Sequence, residues 1–182
     1  MLWQSDRIWP NDDANDAIWI AVTDRTDHKG QSSGPIDAFD RRIIEALRAE
    51  GRLSVTELAR RVGLSKTPCQ VRLRRLIDGG YILGFRAIVD PARLGLDHVA
   101  FTEVKLSDTR ESALVEFRRA VLRIPEVEEC HMIASSFDYL LKVRTADIRR
   151  YREVLGERIS SLPHVASTST FVAMETIRDA GV

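Results

Sequence analysis

Ser54-Val55-Thr56-Glu57-Leu58-Ala59-Arg60-Arg61-Val62-Gly63-Leu64-Ser65-Lys66-Thr67-Pro68-Cys69-Gln70-Val71-Arg72-Leu73-Arg74-Arg75-Leu76 is the stretch whose reading decides the fold of this 182-residue chain. Ser54 with Glu57 reads as a capping box, the serine oxygen accepting from the Glu57 amide while the Glu57 side chain reaches back. Leu58, Ala59 and Val62 then form one apolar stripe, and Gly63 ends a short helix. A following helix carries Cys69, Leu73 and Leu76 at i, i+4 and i+7, with Ile77 beside them, and stops at Asp78-Gly79-Gly80. Its start has two solutions. Ser65 is a good cap, but Thr67-Pro68-Cys69-Gln70 also reads as a Thr cap with proline in the first position, and the restriction on residues before proline favours the later start. A short capped helix, an Ala-x3-Gly turn and a helix with one apolar and one basic face is helix-turn-helix organisation, spanning residues 55–76.

Upstream, from Ile36, residues Ile43, Ile44 and Leu47 share one helical face before Gly51 breaks the pattern, which completes a three-helix block. The outward face of the third helix presents Lys66, Thr67, Gln70, Val71 and Arg74, with Arg72 and Arg75 on its flanks. Residues near the helix N-terminus can reach base edges in a major groove, whereas flanking arginines suit phosphates. A basic helix face can also be merely solvated. Here it coincides with a capped preceding helix and an Ala/Gly turn, and the combination points to DNA. Tyr81 to Val89 follows as two expected strands bending near Gly84, a wing with Arg86 as a candidate phosphate contact.

Charge supports that division. The whole chain has 27 basic and 27 acidic residues, a net of zero that taken alone argues against nucleic acid. Residues 1–36 carry a net of −3, residues 37–84 a net of +4 and residues 85–182 a net of −1. The zero is therefore a cancellation around a basic module. Residues 1–36 contain all three tryptophans, lack sustained periodicity and end in a Gly/Ser/Pro-containing run, so they are expected to be a disordered extension. They show no basic region followed by an apolar core, hence no expected secretory signal, and no apolar run approaches the ~20 residues of a membrane span. Cys69 and Cys130 are too few for a disulfide framework or a four-cysteine zinc site and suit a reducing, cytoplasmic setting.

Residues 91–97 form an expected hinge after a DNA-binding block of residues 37–90, and residues 98–178 form a second domain. His98 to Leu106 alternates as a strand, 110–123 is helical, and Val127 to Ala134 and Tyr139 to Arg144 are strands. Ile148, Tyr151, Leu155, Ile159 and Leu162 step along a second helix ended by Pro163, and Val165 to Met174 is the last strand. Strand-helix-strand-strand-helix-strand is the ferredoxin-like order, giving an α+β protein: a winged helix-turn-helix plus a βαββαβ αβ-sandwich. Val99, Phe101 and Leu140 make the sheet face opposite the helices apolar too, which a second copy of the chain would cover. No catalytic constellation is visible: Cys130 and His131 are neighbours that point to opposite faces of a strand, and His98, His131 and His164 read as core or interface residues. No Gly-rich phosphate cradle, metal set or cofactor motif is present, so the chain reads as a non-enzyme.

With those residues in view, the chain resembles the Lrp/AsnC (feast/famine) family of transcription regulators. The resemblance rests on Asp40-Arg41-Arg42-Ile43-Ile44, Gly51-Arg52-Leu53-Ser54, Glu57 through Ser65, Thr67-Pro68-Cys69, Arg72 through Leu76, Gly80-Tyr81-Ile82, Gly84, Glu129-Cys130-His131, Phe137 through Leu141, Tyr151-Arg152 and Leu162-Pro163. It covers about residues 36–178 in unbroken order. It implies a regulator of promoter DNA that pairs as a homodimer, often assembles into octamers, acts in the cytoplasm on the nucleoid and is tuned by an amino-acid effector. In the family a Gly-x-x-Asp turn between the second and third sandwich strands lies near the effector. Here Ser135 replaces the glycine, Ser136 stands where an acidic residue is frequent, and Asp138 is kept, so these three are the implied effector residues. The stretches Ser65 to Arg72 and Tyr81 to Ala87 are similar to those of activators of proline catabolism. A low-specificity architectural DNA-binding protein and a stand-alone amino-acid-binding protein are the alternative readings.

Overall fold

A computed structural model of the chain describes residues 35–179, so the expectation of a disordered extension lies almost wholly outside the described residues. The chain divides into two compact units after Ala87. In the first, helix α1 (Ala38–Ala49) is capped by Asp37, whose Oδ1 accepts from the Phe39 and Asp40 amides at 2.9 Å each. The Asp40 carboxylate accepts from the Asp37 amide at 2.9 Å in return. This reciprocal box satisfies donors that every helix start leaves open.

Helix α2 (Val55–Val62) starts on Ser54, whose Oγ accepts from the Glu57 amide at 3.2 Å. The expected return bond from Glu57 does not form. Arg60 and Arg61, one turn further on, take its carboxylate instead, at 2.7 and 3.2 Å. The helix ends at Gly63 in the left-handed conformation (φ 75°), and the Leu64 amide closes the turn on the Ala59 carbonyl at 2.9 Å. Helix α3 (Lys66–Asp78) takes the earlier of its two starts, with Ser65 as cap residue but no side-chain cap bond. Pro68 then sits in the first turn, where its missing N–H has no intrahelical partner to lose. Leu58, Val62, Cys69, Leu73 and Leu76 close on Ile43 in one buried cluster.

The wing segment departs from expectation in detail. Residues 83–90 form no strand ladder, and Leu83, Ile88 and Val89 are exposed. A lone two-stranded hairpin is marginal in water.

The second unit has strands β1 (His98–Leu106), β2 (Val127–Met132), β3 (Tyr139–Thr145) and β4 (Val165–Val172) in one antiparallel sheet of order β2-β3-β1-β4. Helices α4 (Glu111–Val121) and α5 (Ile148–Val154) supply much of the remaining core, giving the expected βαββαβ order. Ala100, Val104, Leu141 and Val143 bury one sheet face with Phe117 and Tyr151. The Tyr151 hydroxyl lies 2.9 Å from Thr102 Oγ1 and 2.6 Å from Thr170 Oγ1, which satisfies the polar groups buried there. Helix α5 is shorter than its periodicity suggests: it passes into one wider π-type turn over Leu155–Ile159, with Ile159 still fully buried. The hinge residues include a 3-10 turn at Ala92–Leu94, and the Leu96 carbonyl accepts from Arg144 at 3.3 Å.

Gly63 meets nothing within 4 Å of an added Cβ, so only its backbone conformation resists substitution. Gly63→Ala should therefore cost about 1 kcal/mol, without the larger loss of a packing defect. Urea unfolding of the two proteins would measure it, and an unchanged midpoint would mean that the α2–α3 turn differs from this geometry.

Candidate nucleic-acid interface and effector region

Burying Cys69, Leu73 and Leu76 turns the opposite side of α3 outward. Lys66, Thr67, Gln70, Val71, Arg74 and Arg75 are all exposed, and Arg72 is half-buried. Val71 stands 64% exposed, an aliphatic group with no core to join. Thr67, Pro68, Val71, Arg72 and Arg75 line, with Asp37, a groove of about 440 Å³. Gln70 and Arg74 lie beside it one helical turn apart, and Arg86 is exposed in the segment after the helix.

The arginines are not equivalent. Arg74 makes an exposed pair with Asp78 one turn along α3, at 3.1 Å, a contact that solvent and salt weaken. Arg72 and Arg75 instead converge on Asp40, whose side chain is 0% exposed. Arg72 Nη1 donates to Asp40 Oδ1 at 3.0 Å and to Asp37 Oδ2 at 2.5 Å, while Arg75 Nη2 donates to Asp40 Oδ2. The Arg72 guanidinium also lies 5.6 Å from the Phe39 ring centroid. The sequence pattern places Arg72 and Arg75 on the flanks of the reading face and gives Asp37 and Asp40 no role in the site. The signal was present as Asp-x-x-Asp ahead of an apolar helix, a capping pattern with the less usual acid at its fourth position.

The effector turn is organised differently from a cluster of three. Ser135 and Ser136 are exposed at its tip, whereas Asp138 sits at its base. Asp138 Oδ2 accepts from the Leu106 amide at 2.8 Å, where the β1–β4 register shifts, and Oδ1 accepts from Lys105 Nζ at 3.2 Å. Its amide donates to the Val104 carbonyl at 2.9 Å. Asp138 thus fastens the β2–β3 turn to the end of β1.

The outer sheet face is mixed rather than broadly apolar. Phe101 and Phe171 are directly paired in register and are 37% and 55% exposed. Val99 is buried and Leu140 half-buried. Next to them Glu128 takes Arg144 Nε and lies 3.1 Å from Lys142 Nζ, and Asp179 takes the other end of Arg144. This ionic cluster was also missed, its members being far apart in sequence. Cys130 faces the core opposite Leu141, where burial pushes its thiol up to about 11, and His131 points the other way to Glu129 at 3.0 Å. His131 is exposed rather than in a core; His98 bonds Thr145 at 3.0 Å and His164 bonds Glu116 at 2.9 Å.

A capped helix-turn-helix with an exposed polar α3, joined in one chain to a ferredoxin-like domain, defines a DNA-binding regulator with an attached sensor domain. Residues 36–82 match the winged helix-turn-helix DNA-binding family, and residues 99–182 match the Lrp/AsnC ligand binding domain. The chain is 67% identical over 147 residues to a proline dehydrogenase transcriptional activator of Rhizobium radiobacter, covering 81% of this chain and 94% of that protein. It is 40% identical over 152 residues to the leucine-responsive regulatory protein of Escherichia coli, covering 84% and 93%. A solved transcriptional regulator from Neisseria meningitidis, in complex with L-Met, superposes with a TM-score of 0.73 at 28% identity, covering 80% of this chain and 94% of that one. The chain belongs to the Lrp/AsnC family of transcriptional regulators, a DNA-binding family and not one of enzymes. Among the described residues no helix is long and apolar enough to cross a membrane.

Two carboxylates of the DNA-binding unit titrate low. The Asp40 amide, then Arg72, holds Asp37 down to about 2, and Arg60, then Arg61, holds Glu57 at about 2. Both are lowered on folding, so their stabilisation is complete above the ordinary carboxylate range and is lost as pH falls from there through about 2. Thermal unfolding followed by circular dichroism should therefore show a falling midpoint across that window. The fall should be smaller in the Asp37→Asn/Glu57→Gln double variant and flatter at high ionic strength, since Asp37 is exposed and Glu57 only partly buried. An identical acid profile for the two proteins would remove these contacts as its cause.

Proposed function

We propose that this chain is a sequence-specific activator of a gene for proline breakdown, with proline as its first candidate effector. The exposed Val71 carries the DNA reading. An aliphatic group at the centre of an otherwise polar outward face suits the methyl of a thymine, between Thr67 and Arg75 one turn away on either side. Lys66, Thr67, Gln70 and Arg74 accompany it at base edges, while Arg72, Arg75 and Arg86 meet phosphates. The exposed pair with Asp78 is weak enough for Arg74 to exchange it for a base. Proline is supported by the likeness to the Rhizobium radiobacter activator, and an amino acid in general by the L-Met complex of the Neisseria meningitidis regulator.

Ser135 and Ser136 would meet that effector with small neutral hydroxyls, and Asp138 would carry its effect to β1 through the Leu106 amide. Two copies of the chain pair through the sheet face at Phe101 and Phe171, with higher assembly such as an octamer built on that dimer. The protein works in the cytoplasm, on the nucleoid. Effector binding changes DNA occupancy only by favouring one assembly state over another.

A two-fold symmetric reader requires a pseudo-palindromic operator with half-sites separated by about 10–10.5 bp or a multiple. Genome-wide mapping of bound DNA with and without proline should show such sites and a change of occupancy beside a proline dehydrogenase gene. Equal affinity for operator and random duplex at one salt concentration would instead favour an architectural role. Arg74→Ala should cut the preference for operator over random DNA by about five- to a hundredfold, as expected for one lost base contact. Undiminished preference in a salt-controlled binding assay would displace Arg74 from the reading face.

A further inference from the structure

The two carboxylates that hold Arg72 differ in everything but their charge. Asp40 is fully buried, and its oxygens are taken by the Asp37 amide, Arg72 and Arg75. Asp37 is 48% exposed and divides its work between its two oxygens. Oδ1 caps α1 by accepting from the Phe39 and Asp40 amides, and Oδ2 does nothing among the described residues except accept from Arg72 Nη1. The cap therefore does not need the Arg72 contact. The contact lies in the groove lined by Thr67, Pro68, Val71, Arg72 and Arg75, on the side of α3 that faces solvent.

A carboxylate oxygen and a phosphodiester oxygen make the same demand on a guanidinium: a charged acceptor for N–H donors. We infer that Asp37 Oδ2 occupies the place of a DNA phosphate oxygen on Arg72, so that the DNA backbone must displace it, while buried Asp40 keeps the guanidinium positioned throughout. This rests on the assignment of Arg72 to phosphate made above. Asp40 is a positioning residue, holding Arg72 and Arg75 from behind. Asp37 is an internal competitor that lowers affinity for any duplex by a common factor, independent of base sequence. The exposed pair is weak, so the factor is small. Its low titration keeps Asp37 anionic wherever the protein is folded near neutral pH.

Asp37→Asn separates the two tasks. The asparagine oxygen still caps α1, since Asn and Asp are comparable cap residues, and its NH2 group no longer accepts from Arg72. Binding of the full chain to two unrelated mixed-sequence, fluorescein-labelled duplexes, read by anisotropy at fixed salt, tests the idea as a double-mutant cycle. Asp37→Asn should tighten binding to both duplexes by about two- to fivefold. Arg72→Gln should weaken binding and lower its salt dependence, and in that background Asp37→Asn should give no gain.

An equal gain in both backgrounds would show a general effect of lost negative charge and overturn the competition. No gain in the wild-type background would overturn it as well. If Arg72→Gln alone leaves affinity and salt dependence unchanged, the assignment of Arg72 to phosphate fails first, whatever Asp37→Asn does. Asp40→Asn should weaken binding with the thermal midpoint read alongside it; undiminished binding in a folded variant would remove its positioning role, and should that variant not fold, the Asp37 cycle decides.

Discussion

A single carboxylate with no access to water ties the DNA-binding unit together. Asp40 closes the capping box of α1 and at the same time takes one arginine from each of two positions on α3. Burying an ion is unfavourable unless its lone pairs are filled, and here three donors fill them. Because those donors come from the start of α1 and from the middle of α3, the carboxylate sets how the two helices meet. The apolar contacts of Ile43, Leu73 and Leu76 supply the non-directional part of the same junction, and the ionic group fixes its angle and register. Truncating it would leave Arg75 with no counter-charge among the described residues and Arg72 with Asp37 alone.

The second unit uses an acid in a comparable way at a different kind of joint. Asp138 bonds the amide of Leu106 where the β1–β4 pairing shifts by a residue. The β1–β3 ladder ends at Val104 and Tyr139, so the Leu106 amide on that side has no strand partner, and the carboxylate supplies one. The tip of the β2–β3 turn is thereby free to carry Ser135 and Ser136 outward while its base is fixed. On the outer sheet face the Glu128, Lys142, Arg144 and Asp179 cluster joins strand residues to the chain beyond β4, adding charge pairing to the apolar packing of Val127 and Cys130 on the inner face.

What could be read in advance follows from range. The helix boundaries at Ser54, Gly63 and Asp78, the turn at Ala59 and Gly63, and the strand-helix rhythm beyond His98 all depend on neighbours within a few residues, and the structure has them there. Two caps compete for the start of α3: sterics at Thr67 favour the later one, and the helix takes the earlier. The fate of the arginines was not legible. Whether Arg72 faces solvent or Asp40 depends on a contact between residues 32 positions apart, which helical periodicity cannot see. Val99 was placed on an outward face by strand alternation and is buried all the same. The two wing strands do not pair although their local pattern is strand-like, and Leu83, Ile88 and Val89 are exposed.

The pairing of the α3 arginines also bears on how such a protein finds DNA. Charges neutralised within a few ångströms contribute little to the potential several Debye lengths away. Arg72, Arg74 and Arg75 are so neutralised, whereas Arg41, Arg48 and Arg52 are exposed and have no ion pair among the described residues. The surplus of +4 in residues 37–84 is therefore displayed from α1 and the segment following it more than from the helix that would read bases. On the proposed docking, capture and scrutiny would fall to different cations: one set would steer the diffusional encounter, and another would govern how long a correctly docked complex survives.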